Sequence, residues 1–187
     1  MNNYKALVIG GSAGSFQVIV YILSHLPKDF PMPIFLSLHR LKHVRTGFIE
    51  ALSIKSNIKI VEPNDNELPK KGVAYLAPAN YHMLINLDKR ISLSISKQVN
   101  HSRPSIDLSF QTAAEAYKDK MVGLILSGAN KDGAKGLQKV YDYKGYTLIQ
   151  DPKDAQISTM PNAVLSLFKP DKILDYKALS EFINQLK

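Results

Sequence analysis

The stretch Ala6-Leu7-Val8-Ile9-Gly10-Gly11-Ser12-Ala13-Gly14-Ser15-Phe16 decides how the rest of the chain is read. Its first four residues form a short apolar run, as expected of a strand buried in a parallel sheet. From Phe16 to Leu26 the pattern is helical, and Pro27 ends it. Between the two lies a serine flanked by glycines on a strand-to-helix turn. Such a turn can hold a hydroxyl outside regular structure, and the helix N-terminus beside it favours negative charge. A hydrolytic nucleophile needs both, so the next question is where a histidine and a carboxylate lie.

Outward from this turn, strands and helices alternate. Strands are expected at residues 4–9 and 33–38, with helices at 15–26 and 46–54. A short apolar stretch follows at 59–62. Strand character then runs through 73–77, 81–87 and 90–95, the last two separated by Asp88-Lys89, a hairpin turn without the favoured glycine. Pro104 opens a helix reaching about Tyr117. Strands at 121–126, 146–150 and 172–174 then alternate with helices at 134–143, 161–168 and 178–186. Repeated βα units imply an α/β fold: a doubly wound, mainly parallel sheet with helices on both faces. A small antiparallel hairpin insert near 73–95 decorates it, and one domain is expected over residues 1–187.

The composition narrows the chemistry. With no cysteine, a disulfide framework, a thiol nucleophile and a thiolate metal site are excluded. His25, His43, His82 and His101 are the weaker catalytic candidates; no two of these four have the helical spacing of a zinc site and no carboxylate cluster accompanies them, so no metal is expected. The formal charge is +8, but the lysines are scattered and no aromatic residues alternate with a basic stripe. That argues against a nucleic-acid module and suits an acidic protein partner. The N-terminus has no signal-peptide pattern and no apolar run approaches a membrane span, so a cytoplasmic protein without membrane insertion is expected.

In an open parallel sheet, ligands bind beyond the carboxyl ends of the strands. Ser12 follows the first strand, His39 follows the second, and Asp132 lies in Ser127-Gly128-Ala129-Asn130-Lys131-Asp132-Gly133 after the strand at 121–126. Together they suggest a catalytic triad in which His39 takes the Ser12 proton and Asp132 orients the imidazole. Each residue also has a plainer explanation. Ser12 and Asp132 can each be helix N-caps, His39 can be a half-buried core histidine, and the glycine loop can cradle an anion, although it lacks Walker and dinucleotide spacing.

Several of these segments, in order, resemble the catalytic domain of protein-glutamate methylesterases, which demethylate bacterial chemotaxis receptors. Gly10-Gly11-Ser12-Ala13-Gly14-Ser15 is similar to the family's Gly-x-Ser-x-Gly-Gly, and Ser127 to Ala134 to its Thr-Gly-Met-Gly-x-Asp-Gly-Ala. Tyr75 to Met83, Arg103-Pro104-Ser105-Ile106-Asp107, and Gln150-Asp151 through Met160-Pro161 resemble three further family segments. The resemblance spans Tyr4 to about Leu174. It implies attack by Ser12 on the γ-methyl ester of a receptor glutamate, release of methanol from an acyl-enzyme, and hydrolysis by water that His39 activates. Deamidation of glutamine is the same chemistry with ammonia leaving. Ala13, Ala129, Arg103 and Met160 are the implied oxyanion and substrate-binding residues, and no cofactor is implied. Ala129 stands where the family has methionine, Asn130 where it has glycine, Ser15 for the second glycine and Ala13 for a frequent threonine. Asn130 is therefore expected at a backbone position that tolerates positive φ. Family members usually carry an N-terminal receiver domain; with the first strand at about Tyr4 no room for one is expected, so either control comes from another protein, such as a separate receiver protein, or the enzyme is unregulated by that route. The other reading is a non-catalytic or altered-substrate module that binds an acidic protein partner.

Overall fold

The computed structural model describes residues 3–39 and 47–187; His43 and the start of the helix expected from residue 46 lie outside them. The strand β1 (Ala6–Gly11) is buried along its whole length, which only a central strand can be. On one side it pairs in parallel with β2 (Ile34–Leu38), and on the other with β7 (Met121–Ile125). Beyond β2 lie β4 (Val73–Leu76) and then the short edge strand β3 (Lys59–Val61). Beyond β7 lie β8 (Tyr146–Gln150) and β9 (Lys172–Leu174). The seven strands run β3-β4-β2-β1-β7-β8-β9, all parallel.

Side chains alternate across the sheet and feed two cores. Leu7, Ile9, Ile34, Leu36, Val122 and Leu124 face a layer containing α1 (Phe16–His25), α2 (Phe48–Ser53) and α6 (Tyr176–Asn184). Ala6, Val8, Phe35, Met121 and Ile125 face α3 (Ile106–Tyr117), α4 (Ala134–Asp142) and α5 (Thr159–Leu165). This is the doubly wound arrangement expected from the alternating pattern.

The insert is smaller than expected. Only β5 (His82–Ile85) and β6 (Ile91–Ser94) form the antiparallel hairpin, whereas β4 joins the main sheet. The reason is burial: Ala74, Tyr75 and Leu76 are covered on both faces, an environment open to an interior parallel strand and not to a decorative hairpin. The hairpin turn replaces the missing glycine with Lys89 at φ 71°. Ser109 and Thr112 pin the hairpin to α3, the first donating to the Met83 carbonyl (2.8 Å) and the second accepting from the Ile85 N–H (3.1 Å).

The helices α3 and α4 approach closely at Gly136. A Cβ there would lie 2.6 Å from the Phe110 Cβ and 3.0 Å from the Asp107 backbone. Gly136→Ala is therefore expected to cost about 1–3 kcal/mol through overpacking. A melting experiment should record a fall of about 2–4 °C per kcal/mol. An unchanged melting temperature would mean that the two helices separate freely.

Candidate active site

Three neighbouring strands, β2, β1 and β7, deliver the three residues. The chain runs outward from β1 through β2 and later returns to β7 on the opposite side, so the sheet order reverses at β1. Crevices at such reversals are where open α/β sheets bind ligands. Gly11 is in register with Leu38, so Ser12 and His39 are the next residues on adjacent strands, and the His39 N–H donates to the Gly11 carbonyl (3.3 Å). On the other side the Ser12 N–H donates to the Ser127 carbonyl (3.0 Å) at the head of the loop that carries Asp132.

The turn around Ser12 depends on two glycines. At Gly11 a Cβ would fall 2.7 Å from the Cβ and Oγ of Ser15, and Gly14 has φ 85° with Ser127 and Gln156 packed where a side chain would go. Ser15, not Ser12, occupies the N-cap of α1, and its hydroxyl donates to the Ser12 carbonyl (2.7 Å). The Ser12 hydroxyl makes no hydrogen bond to any described residue, so the plainer explanation of Ser12 as an N-cap does not hold.

His39 is half-buried, with its Nε2 2.8 Å from Oδ2 of Asp132, whose side chain is wholly buried. Nor is Asp132 an N-cap of its own helix, whose cap is Gly133 without a side-chain bond. Its carboxylate reaches across to the N-terminus of α3. There it accepts from the N–H groups of Ile106 (2.7 Å) and Asp107 (3.1 Å), the Ser105 hydroxyl (3.1 Å) and the Asn100 amide (2.8 Å). Asp107 returns the arrangement, its Oδ1 accepting from Gly133 (2.9 Å) and Gly136 (2.7 Å) at the N-terminus of α4. Asn100 donates to both carboxylates, being 2.9 Å from Oδ2 of Asp107. Each aspartate thus supplies an anion to the start of the other's helix.

Burial pushes the Asp132 carboxyl up, but hydrogen bonds from His39, Asn100, Ile106 and Asp107 outweigh it and hold the group below the usual carboxylate range. Asp107 goes the other way. Its burial dominates, and the neighbouring Asp132 charge adds to the rise, against the bonds from Gly136, Asn100 and Gly133. His82 is fully buried between the Lys97 carbonyl at Nε2 (3.1 Å) and the Ser105 N–H at Nδ1 (3.1 Å). Only the neutral Nε2–H tautomer satisfies both, and burial holds its pKa down, so His82 is a structural brace beneath Ser105.

A cavity of about 410 Å³ opens over the strand ends. Ser12, Ala13 and His39 line it on the polar side; Leu38, Phe16 and Phe48 line it on the apolar side, the two rings packed edge to face at 5.2 Å. Ala13 and Ala129 are both exposed, and among the described residues neither N–H has an acceptor. The other two implied substrate-binding residues are placed differently. Arg103 spends its guanidinium on the Asn80 side chain and on the carbonyls of Ile95 and Ser96, tying the hairpin region down. Met160 is completely buried, its side chain filling the space above Gly128, so it props the loop and does not face the cavity.

Asn130 also departs from expectation. Its φ is not positive; instead its Oδ1 accepts from the Asp132 N–H (3.0 Å) and its Nδ2 lies 3.3 Å from Nδ1 of His39. Asp107, Asn100, Phe16 and Phe48 were not singled out as site residues. Asp107 stood inside a quoted motif, but nothing local marks it as a partner of Asp132. Among the described residues no cluster of histidine, aspartate and glutamate could hold a metal ion.

A carboxylate held lower in the folded protein than in the unfolded chain contributes stability above its unfolded pKa, about 3.9. That contribution is lost as pH falls through the folded value. Asp132→Asn should therefore be less stable than the parent at pH 7, by about 1–3 kcal/mol, since an amide NH₂ must face one of the converging donors. Denaturant titrations should find this gap narrowing as pH drops below about 4. A gap that stays constant on acidification would show that the Asp132 charge is not what the fold uses.

Comparison with known proteins agrees with the geometry. Residues 7–183 match the family model described as CheB methylesterase. A provisionally named protein-glutamate methylesterase/protein-glutamine glutaminase of Leptospira interrogans is 42% identical over 98% of this chain and 95% of its own length. The corresponding enzyme of Thermotoga maritima is 32% identical over 97% of this chain, which spans 54% of that longer protein. The crystal structure of the Thermotoga maritima CheB methylesterase catalytic domain superposes with a TM-score of 0.92 at 31% identity, covering 97% of this chain and 98% of that one. With the family model matched over residues 7–183 and the fold shared with the solved catalytic domain, the chain belongs to the CheB methylesterase family.

Proposed function

We propose that this chain is a serine hydrolase that removes methyl groups from glutamate side chains of chemotaxis receptors and, with ammonia as leaving group, deamidates glutamine. The observation that carries the reading is the placing of the Ser12 and His39 side chains on one cavity wall, with a buried, ionised Asp132 behind the imidazole. The names of the relatives supply protein-glutamate methyl esters and protein glutamine as substrates, and the resemblance of the sequence motifs supplies the receptor. The +8 chain would meet an acidic receptor surface favourably.

The geometry supports one assignment of the two His39 nitrogens. Nε2 faces Asp132, a carboxylate that only accepts, so Nε2 carries the proton and Nδ1 is the base. This is the reverse of the chymotrypsin-type assignment, in which Nδ1 faces the aspartate. Ser12 Oγ attacks the ester carbonyl as its proton passes to Nδ1. The oxyanion draws on the unpartnered N–H groups of Ala13 and Ala129, donors worth about 2.7–4 kcal/mol each in comparable sites. Collapse expels methoxide, which takes the proton from His39 and leaves as methanol. Water, deprotonated by the same nitrogen, then attacks the acyl-enzyme, frees the glutamate carboxyl and returns the proton to Ser12. The apolar wall of Leu38, Phe16 and Phe48 suits the methylene stem and methyl group of the esterified side chain.

Methanol release from methylated receptor is expected from the parent chain, and Ser12→Ala should reduce it by about 10⁶-fold. Asp132→Ala should cost about 10⁴-fold. A fluorophosphonate probe should label the parent and not Ser12→Ala. Equal labelling of both would remove Ser12 as nucleophile. Selective labelling of Ser12 without methanol release would keep the hydrolase and discard the receptor substrate.

A further inference from the structure

The imidazole of His39 is held at both nitrogens by one short loop. The Asp132 N–H can only donate, so the Asn130 atom 3.0 Å away must be Oδ1. That fixes the amide's orientation and turns Nδ2 toward Nδ1 of His39, 3.3 Å away. Asp132 holds the opposite nitrogen at 2.8 Å. A histidine with Nε2 protonated has one lone pair, at Nδ1, and Asn130 donates into it. We infer that Asn130 is a positioning residue for the reaction proposed above: it selects the base-competent tautomer of His39 and occupies the Nδ1 lone pair until the Ser12 hydroxyl displaces it.

The clamp orders the ring, because both of its hydrogen bonds trace back to the same backbone: Asp132 supplies the carboxylate and also the N–H that anchors Asn130. It also discriminates between the neutral tautomers, since a ring protonated at Nδ1 would set that N–H against the Asn130 NH₂ and leave the Nε2 lone pair facing the Asp132 carboxylate.

Two variants separate the clamp from mere loop support. Asn130→Asp keeps an acceptor for the Asp132 N–H, and so keeps the loop, but presents a carboxylate oxygen to Nδ1. Asn130→Gly removes the side chain altogether. Nitrogen-15 NMR of the intact chain, with the His39 ring signals assigned by their loss in His39→Gln, should give the Nε2-protonated tautomer in the parent, a larger Nδ1-protonated share in Asn130→Gly and the largest share in Asn130→Asp. With methylated receptor, kcat should fall in both variants while KM changes little. The same His39 tautomer in all three proteins would overturn the clamp whether or not methanol is released. The expected order of tautomers, with no methanol from the parent, would keep the clamp and sink the receptor-esterase reading alone.

Discussion

The buried carboxylate of Asp132 is the interaction around which this molecule is organised. A charge with no side-chain exposure survives only where enough donors converge on it, and here two backbone N–H groups, a hydroxyl, an amide and an imidazole do so. The backbone and hydroxyl donors come from the N-terminus of α3, while Asp107 from α3 returns the service to the N-terminus of α4. Each helix start would otherwise bury unpaired N–H groups. Losing either aspartate therefore strips one helix of its cap and removes a neighbour from the other carboxylate. This exchange also explains the tight crossing at Gly136: the Asp107 side chain meets the Gly136 N–H only if the backbones come that close.

The proposed chemistry borrows this structural joint. With one carboxylate oxygen against α3 and His39, the imidazole is aimed from a rigid platform formed by two helix ends and two strand ends. The turn of Ser12 is built on β1 and the glycines at positions 11 and 14. The parallel register of β1 with β2 is what brings the two halves together, since it makes Ser12 and His39 neighbours at one sheet edge. The Ser127 hydroxyl adds a brace by donating to the Ala13 carbonyl at 2.8 Å, linking the turn of Ser12 to the loop of Asp132. Arg103 and Met160, expected near substrate from family likeness, make contacts that belong to this scaffolding.

Much of the fold was legible because its causes are local. The apolar run at Ala6-Leu7-Val8-Ile9, the helix stopped before Pro27 and the alternation after Pro104 each carry their own periodicity or terminator. The strand at 73–76 was misplaced into the insert because an apolar run looks the same whether it pairs in a hairpin or joins a parallel sheet. Only the partners that bury both of its faces distinguish the two. Ser12, His39 and Asp132 could be picked out because all three follow strands. Asp107 and Asn100 could not, since their importance lies in contacts across 25 or more positions to Gly133 and Asp132.

By itself the sequence determined the order of strands and helices, the glycine-flanked turn that exposes a hydroxyl, and the absence of any thiol chemistry. Those properties depend on backbone preferences, hydrophobic period and composition, which act over a few residues. Tertiary structure alone decided that β4 lies inside the sheet, that Arg103 and Met160 support the site from behind, and that Asp132 serves a helix other than its own. It also decided which nitrogen of His39 faces the aspartate and that Asn130 takes up the other. Those outcomes depend on where buried donors find acceptors, and a chain states its donors and acceptors without stating which of them will meet.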